Sequence, residues 1–208
     1  MVIVALAVAL LAGGGDGDDS GDDASTASGD AGESSDTGSV PDDSPVTVTG
    51  TPLPPLPDDG ADPAVGTSMP TLSGTALDGT SLTIPTTGRP TMIMFVAHWC
   101  PHCQAEVPVV QDWVDNGELP DGVDLVTVST AIDPRRPNYP ADEWLAAEGW
   151  TAPVLVDGDD TAAEAAGVTA FPYFVGVDAS GNVVGRTSGE LTPAQLSDIA
   201  AALSGAGA

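Results

Sequence analysis

Five consecutive apolar residues, Met92–Val96 (MIMFV), are followed three residues later by two cysteines spaced Cys100-Pro101-His102-Cys103. An unbroken apolar run of strand length fits a strand covered on both faces rather than one with a wet side. Proline directly after Cys100 fits the first position of a helix, where its missing N–H leaves nothing unpaired. A buried strand that turns into a helix at a pair of thiols therefore anchors the fold.

The flanking pattern extends this to a mixed sheet with helices on its faces. Strands are expected at Ser81–Ile84, Val123–Ser129, Val154–Val156, Tyr173–Val177 and Val183–Thr187, the last two joined by the turn Asp178-Ala179-Ser180-Gly181. Helices are expected from Cys100 towards Asn116, over Ala141–Glu148, and from the capping-box spacing Thr161-Ala-Ala-Glu164. Pro108 should kink the first of these. A last helix opens with Thr192 as cap, Pro193 next and Gln195 at the third position, and buries Leu196, Ile199 and Leu203.

Composition divides the chain into three. Val2–Ala12 (VIVALAVALLA) has the length of a signal-peptide apolar core and falls short of the ~18 to 20 residues of a membrane-spanning helix. Residues 1–12 are read as an export or anchor segment, which places the protein outside the cytoplasm, periplasmic or at the cell surface. The run Leu10-Leu11-Ala12-Gly13-Gly14 resembles a lipoprotein signal but has no cysteine to carry the lipid. Residues 13–62, rich in Asp, Gly, Ser, Thr and Pro, are expected to form a disordered tether, stiffened by Thr51-Pro52-Leu53-Pro54-Pro55-Leu56-Pro57. Residues 63–208 are expected to hold one globular domain.

Charge excludes one class of partner. The net charge is −27, with 31 acidic residues against four arginines and no lysine. A nucleic-acid backbone would be repelled. With only two cysteines in the chain, a framework of structural disulfides is excluded, and the two thiols act together.

At a helix start the Cys100 sulfur meets unsatisfied N–H groups and the positive end of the dipole, both favouring the reactive thiolate. Cys100 is accordingly expected to be exposed and nucleophilic. Cys103, one turn in and more buried, is the natural resolving thiol. His102 fits two roles: an imidazole that stabilises the Cys100 thiolate and shifts the couple towards oxidation, or a solvent-exposed spacer. Trp99 is expected to form an apolar lid and contact surface, with His98 exposed and structural. Glu106, on the face of Cys103, is either a proton relay for that thiol or an ordinary exposed acid of the early helix. Phe171-Pro172, before the strand Tyr173–Val177, is either a strand boundary or a cis turn. Arg135-Arg136 reads as a solvated turn with no role.

Residues from about 65 to 203 resemble the thioredoxin-fold, extracytoplasmic TlpA/ResA-like thiol–disulfide oxidoreductases, close to the redoxin and AhpC/TSA superfamily. Val65-Gly66, Leu77-Asp78-Gly79, Met92–Val96, Trp99-Cys-Pro-His-Cys103 with Glu106 and Pro108, Val154-Leu155-Val156-Asp157, Gly167-Val168 and Phe171-Pro172 carry the resemblance in the family's order. It implies that Pro172 is a cis-proline against the disulfide, that the Phe171 backbone pairs with an extended client, and that Trp99 and Pro101 contact it. It implies that Glu106 is the acid found just after the second cysteine in ResA-like members. Met94 stands where cytosolic thioredoxins carry a buried aspartate.

The implied activity is disulfide exchange with protein cysteines without a bound cofactor, as a reductase recharged by a membrane thiol donor of the CcdA/DsbD type, with apocytochrome c as a typical client. The Pro-His dipeptide also occurs in DsbA, whose members oxidise thiols, so an oxidase is the alternative direction. A peroxiredoxin would need Pro-x-x-x-Thr-x-x-Cys, which Val96 and Cys100 fail to supply ahead of Cys103. Copper handling of the Sco type uses CxxxC and a distant histidine; His98 and His102 are both at the motif, and no metal is assigned.

Overall fold

This computed structural model describes residues 43–85 and 88–206. In chain order its strands are β1 (Thr47–Thr49), β2 (Thr71–Thr75), β3 (Ser81–Ile84), β4 (Thr91–Val96), β5 (Asp124–Ser129), β6 (Val154–Val156), β7 (Tyr173–Val177) and β8 (Val183–Ser188). The helices are α1 (Pro101–Asp115), α2 (Ala141–Ala147), α3 (Thr161–Ala166) and α4 (Pro193–Ala206).

Every residue of β4 is buried, because β4 is the central strand of a five-stranded sheet ordered β6-β5-β4-β7-β8. β5 and β6 run parallel to it across helical crossovers, and β7 and β8 return antiparallel as a hairpin. The strand alternation then divides its side chains between two cores. Met92, Met94 and Val96 pack with Val107, Val110 and Trp113 of α1, Trp144 and Leu145 of α2, and Leu196, Ala200 and Leu203 of α4. Ile93 and Phe95 point the other way, into a cluster with the alanines of α3 and with Leu72 and Ile84 of the small sheet β1-β2-β3. This is the thioredoxin fold, a mixed sheet between layers. Gly176 in β7 lets α4 approach: a Cβ built there would lie 2.9 Å from Leu203 Cδ2.

α1 runs from Pro101 to Asp115 with Pro108 inside it. One expectation about helices needs correction. At α3, Thr161 is not a cap; Asp160 holds that position at φ 61° and makes no side-chain capping bond. The buried Asp157, just past the end of β6, caps the helix instead, accepting hydrogen bonds from the amides of Ala162 (2.9 Å) and Ala163 (3.0 Å) and from Thr130 Oγ1 (2.8 Å). Burial raises its pKa, and these donors oppose the shift. At α4 the expected box is present: the Gln195 amide donates to Thr192 Oγ1 at 3.3 Å, and the Thr192 amide donates to Gln195 Oε1 at 2.9 Å.

The larger correction concerns the tether. Residues 1–42 lie outside the described residues, but the stretch from Ser44 to Asp62, expected to be disordered, is part of the packed domain. β1 pairs antiparallel with β2, Val46 and Leu53 are buried, and the amides of Leu53 and Leu56 donate to the carbonyls of Ala165 and Gly167. Gly167, at φ 71°, ends α3 and admits this arm: a Cβ there would lie 2.3 Å from the Pro54 carbonyl oxygen. The clasp is Arg186, whose fully buried guanidinium donates to Asp62 Oδ2 (2.8 Å), Pro54 O (2.8 Å) and Ala166 O (3.1 Å). Composition concealed this, because sparse apolar residues in a Pro-rich segment bury well once a partner surface exists.

Breaking the clasp should be costly, because it strands a buried charge and two carbonyls. Arg186→Met is expected to lower unfolding free energy by about 3 kcal/mol, read from the urea midpoint. A chain shortened to begin at Pro63 should be destabilised at least as much, whereas a freely disordered arm would leave the midpoint unchanged.

Candidate active site

β4 delivers the chain to the end of the sheet, and Ala97-His98-Trp99 links it to α1. Cys100 is the N-cap of α1, with extended backbone (φ −76°, ψ 120°), and Pro101 occupies the first turn. Both cysteines are free thiols. Cys103 has no exposed surface, as its position one turn in requires. Cys100 is less open than the helix-end argument suggested, at 7% exposure, and belongs to the buried cluster against which Trp99 and Phe171 pack. Its thiol donates towards the Phe171 carbonyl, with Sγ 3.8 Å from the oxygen, and it hydrogen-bonds to Cys103.

The two sulfurs differ in environment. Burial pushes the Cys103 thiol far above the usual cysteine range. The Ala97 amide, which hydrogen-bonds to it, opposes that shift, while Cys100 and the Glu106 carboxylate add to it. A thiol held this firmly protonated needs a base nearby before it can attack a disulfide.

Glu106 acts on this thiol electrostatically. It is 1% exposed, which removes the exposed-acid alternative, and Met94 packs in the same core without offering a carboxylate. Both Glu106 oxygens accept from the Leu191 amide, at 3.1 and 3.0 Å. Burial raises its pKa to about 7; the Leu191 bond lowers it and the charge of Glu190 raises it further. A carboxyl that shares its time between the two protonation states at neutral pH can both take and return a proton.

The Phe171-Pro172 peptide bond is cis, which decides between the two alternatives open at the sequence level. Pro172 accepts a hydrogen bond from the Gly189 amide at 2.8 Å, tying the turn to the segment that carries Glu190 and Leu191.

The residues flanking the cysteines are held by contacts the sequence did not suggest. His102 is exposed, and its Nδ1 lies 2.6 Å from Glu190 Oε1. Trp99 donates from Nε1 to the Ala131 carbonyl (2.7 Å), and the Arg136 guanidinium lies 3.9 Å above its ring. His98, expected to be exposed, is fully buried. Its Nε2 accepts from the Asp133 amide (3.2 Å), so Nδ1 carries the hydrogen and donates to Pro137 O at 2.7 Å. The His98 carbonyl accepts from Gln104 Nε2 and Asn138 Nδ2. His98 thus clips the loop 131–138 to the motif. Glu190, Leu191, Asp133 and Arg136 carried no local signal, since each meets its partner across dozens of residues.

Two outcomes follow from this geometry. His98→Phe should fold but speed amide exchange at Asp133 about ten-fold, matching a lost buried hydrogen bond of about 1–2 kcal/mol; unchanged exchange would show that the clip holds nothing. For Glu106, the folded pKa lies above the unfolded one, so its contribution is fully present below about pH 4.5 and is lost as pH rises through about 7. Wild type should lose on the order of 2 kcal/mol between pH 5 and 8 relative to Glu106→Gln, measured by denaturation at both values.

The redoxin family model matches residues 64–203. Sporulation thiol-disulfide oxidoreductase A of Bacillus subtilis (strain 168) is 25% identical over 122 residues, covering 59% of this chain and 73% of that protein. Among solved structures, StoA from Bacillus subtilis superposes with a TM-score of 0.55 at 25% identity, over 66% of this chain and 98% of StoA. DsbF of Mycobacterium tuberculosis, in mixed oxidised and reduced forms, gives 0.55 at 28% identity, over 63% and 93% of the two chains. A secreted Mycobacterium tuberculosis disulfide oxidoreductase homologous to E. coli DsbE shares the fold at 24% identity and a TM-score of 0.52, over 63% and 95%. With paired thiols at the end of β4, a cis-proline beside them and these relatives, the chain belongs to the redoxin family and is a thioredoxin-fold thiol–disulfide oxidoreductase.

Proposed function

We propose that this protein is an extracytoplasmic reductase of protein disulfides that works through Cys100 and Cys103. The observation that carries the reading is the pair of free thiols at the end of β4, Cys100 at the N-cap of α1 and Cys103 wholly buried one turn in, with the buried Glu106 acting electrostatically on the second. Such an arrangement suits a site whose second thiol must stay quiet until a client is attached.

The Cys100 thiolate attacks one sulfur of a client disulfide, forming a Cys100–client disulfide and releasing the other client sulfur as a thiolate. Glu106 accepts the Cys103 proton. The Cys103 thiolate then attacks Cys100 Sγ, closing the protein's own disulfide and releasing the second client thiol. The client gains two electrons and the protein loses two, so a thiol donor must restore the pair; a membrane donor of the CcdA/DsbD type fits that need. The Phe171 backbone would pair with the extended client, and Trp99 and Pro101 would flank it. Localisation outside the cytoplasm rests on the apolar run Val2–Ala12 and on the secreted relative. Among the described residues no helix is long and apolar enough to cross a membrane.

The oxidase direction is favoured by one feature, His102 between the thiols. Equilibration with glutathione separates the two: a reductase keeps its disulfide in excess reduced glutathione, whereas an oxidase is reduced, and His102→Ala should lower the potential if the imidazole stabilises the Cys100 thiolate.

In insulin reduction, Cys100→Ser should be inactive and Cys103→Ser should accumulate the mixed disulfide. Resolution in wild type should quicken as pH rises through about 7, because Glu106 must be ionised to accept the proton. Glu106→Gln should flatten that profile and slow resolution by about 10²-fold. A profile unchanged in Glu106→Gln would remove the relay.

A further inference from the structure

Cations are scarce in this chain, and one of its four arginines, Arg136, lies over the ring of Trp99, the residue before Cys100. Arg89 is spent on Asp124 (2.7 Å), and Arg186 is buried against Asp62. Arg135 is chelated by Asp133, Nε to Oδ1 at 2.9 Å and Nη2 to Oδ2 at 3.1 Å. Arg136 differs. Its side chain is half exposed, its nearest carboxylate oxygen is Asp133 Oδ2 at 3.9 Å, and no described residue accepts a hydrogen bond from its guanidinium. Its Cζ lies 3.9 Å from the ring centroid of Trp99, the residue before Cys100.

We propose that Arg136, seated on Trp99, is a specificity-determining residue that selects client segments carrying a carboxylate close to the reactive cysteine. This inference rests on the disulfide-exchange reading above. A guanidinium stacked on an indole uses its face and leaves its N–H edge open, the geometry that grips a carboxylate in a two-pronged hydrogen bond. Its position is held rigidly. His98 bonds to Asp133 and Pro137 on either side of the arginine pair, and Trp99 bonds to Ala131 at the start of the loop.

Charge makes the spot selective. Counting Arg135, Arg136 and Asp133, the loop carries one net positive charge (2 − 1) within a chain of net charge −27. On the other side of the motif, His102 is paired with Glu190. An acidic client segment meets a chain of strongly negative net charge and, next to Trp99, a loop whose own charges sum to positive, with Asp160 turned to the Ala131 amide at its base. The indole belongs to the residue before Cys100, so the favoured carboxylate belongs within two or three residues of the client cysteine, at roughly 3.5 Å of extended chain per residue.

The test uses three synthetic disulfide peptides of one length, with Glu, Gln or Lys flanking the cysteines, turned over by the full chain. Wild type is expected to favour the Glu peptide over the Gln peptide by about three-fold in kcat/KM, the size of an exposed ion pair, and the ratio should shrink at high salt. Arg136→Gln should bring the ratio to one, Arg136→Lys, which keeps the charge without the two-pronged edge, should keep only a minor part of it, and Arg136→Glu should invert it in favour of the Lys peptide. A Glu preference that survives Arg136→Gln, or a wild type with none, overturns the proposal. Calorimetric affinities of the same peptides with Cys replaced by Ser read the Arg136 ratio without any chemistry. Selective binding with no turnover would therefore sink the exchange reading while keeping the docking role of Arg136.

Discussion

The burial of β4 between two cores is the constraint on which the rest depends. Hydrogen-bonded to β5 on one edge and β7 on the other, and covered on both faces, this strand has nowhere wet until it leaves the sheet. The first place where its chain reaches the rim is the link to α1, and that is where the cysteines stand. The same packing sets their inequality. Cys100 caps the helix at the rim, while Cys103, one turn further, is drawn under the sheet end with Met94, Val96 and Leu191 in the same cluster. Cys100 keeps 7% exposure and Cys103 none, and the proposed exchange assigns attack to the first and resolution to the second.

Burying a carboxyl next to a protonated thiol is unfavourable for folding when the carboxyl ionises, and the structure keeps Glu106 there with one backbone amide, that of Leu191, as its described hydrogen-bond donor. One donor leaves the pKa near neutrality; several would have held it ionised throughout the working range. The segment Gly189–Leu191 thereby gathers three duties: it bonds to the cis-proline turn, supports Glu106, and presents Glu190 to His102. Movement of this segment would reach all three at once.

Stability and site meet again at the arm before Pro63. Arg186, from the edge strand β8, draws Asp62 and Pro54 onto the end of α3, and α3 leads directly into the turn that carries Phe171 and Pro172. The arm therefore braces the layer from which that turn departs.

What was legible from sequence was local. The apolar run of β4, the Asp178–Gly181 turn, the Thr192/Gln195 cap and the Cys100/Cys103 spacing each rest on contacts a few residues apart, and periodicity and turn chemistry report such contacts directly. The Phe171-Pro172 turn and the role of Glu106 needed the family resemblance, because the residues alone fitted two readings. The packed arm, the buried His98, the Asp157 cap in place of Thr161, and the partners Glu190 and Arg136 were decided by tertiary structure alone. His102 meets Glu190 at a separation of 88 residues, Glu106 meets Leu191 at 85, and Asp62 meets Arg186 at 124. A polar side chain carries no mark of which distant partner will compensate its burial. Sequence determined that two thiols would stand at the end of a buried strand; only the closing of the sheet and helices around them determined that Cys103 is wholly buried, that Glu106 is buried against the Leu191 amide and that Arg136 lies over Trp99.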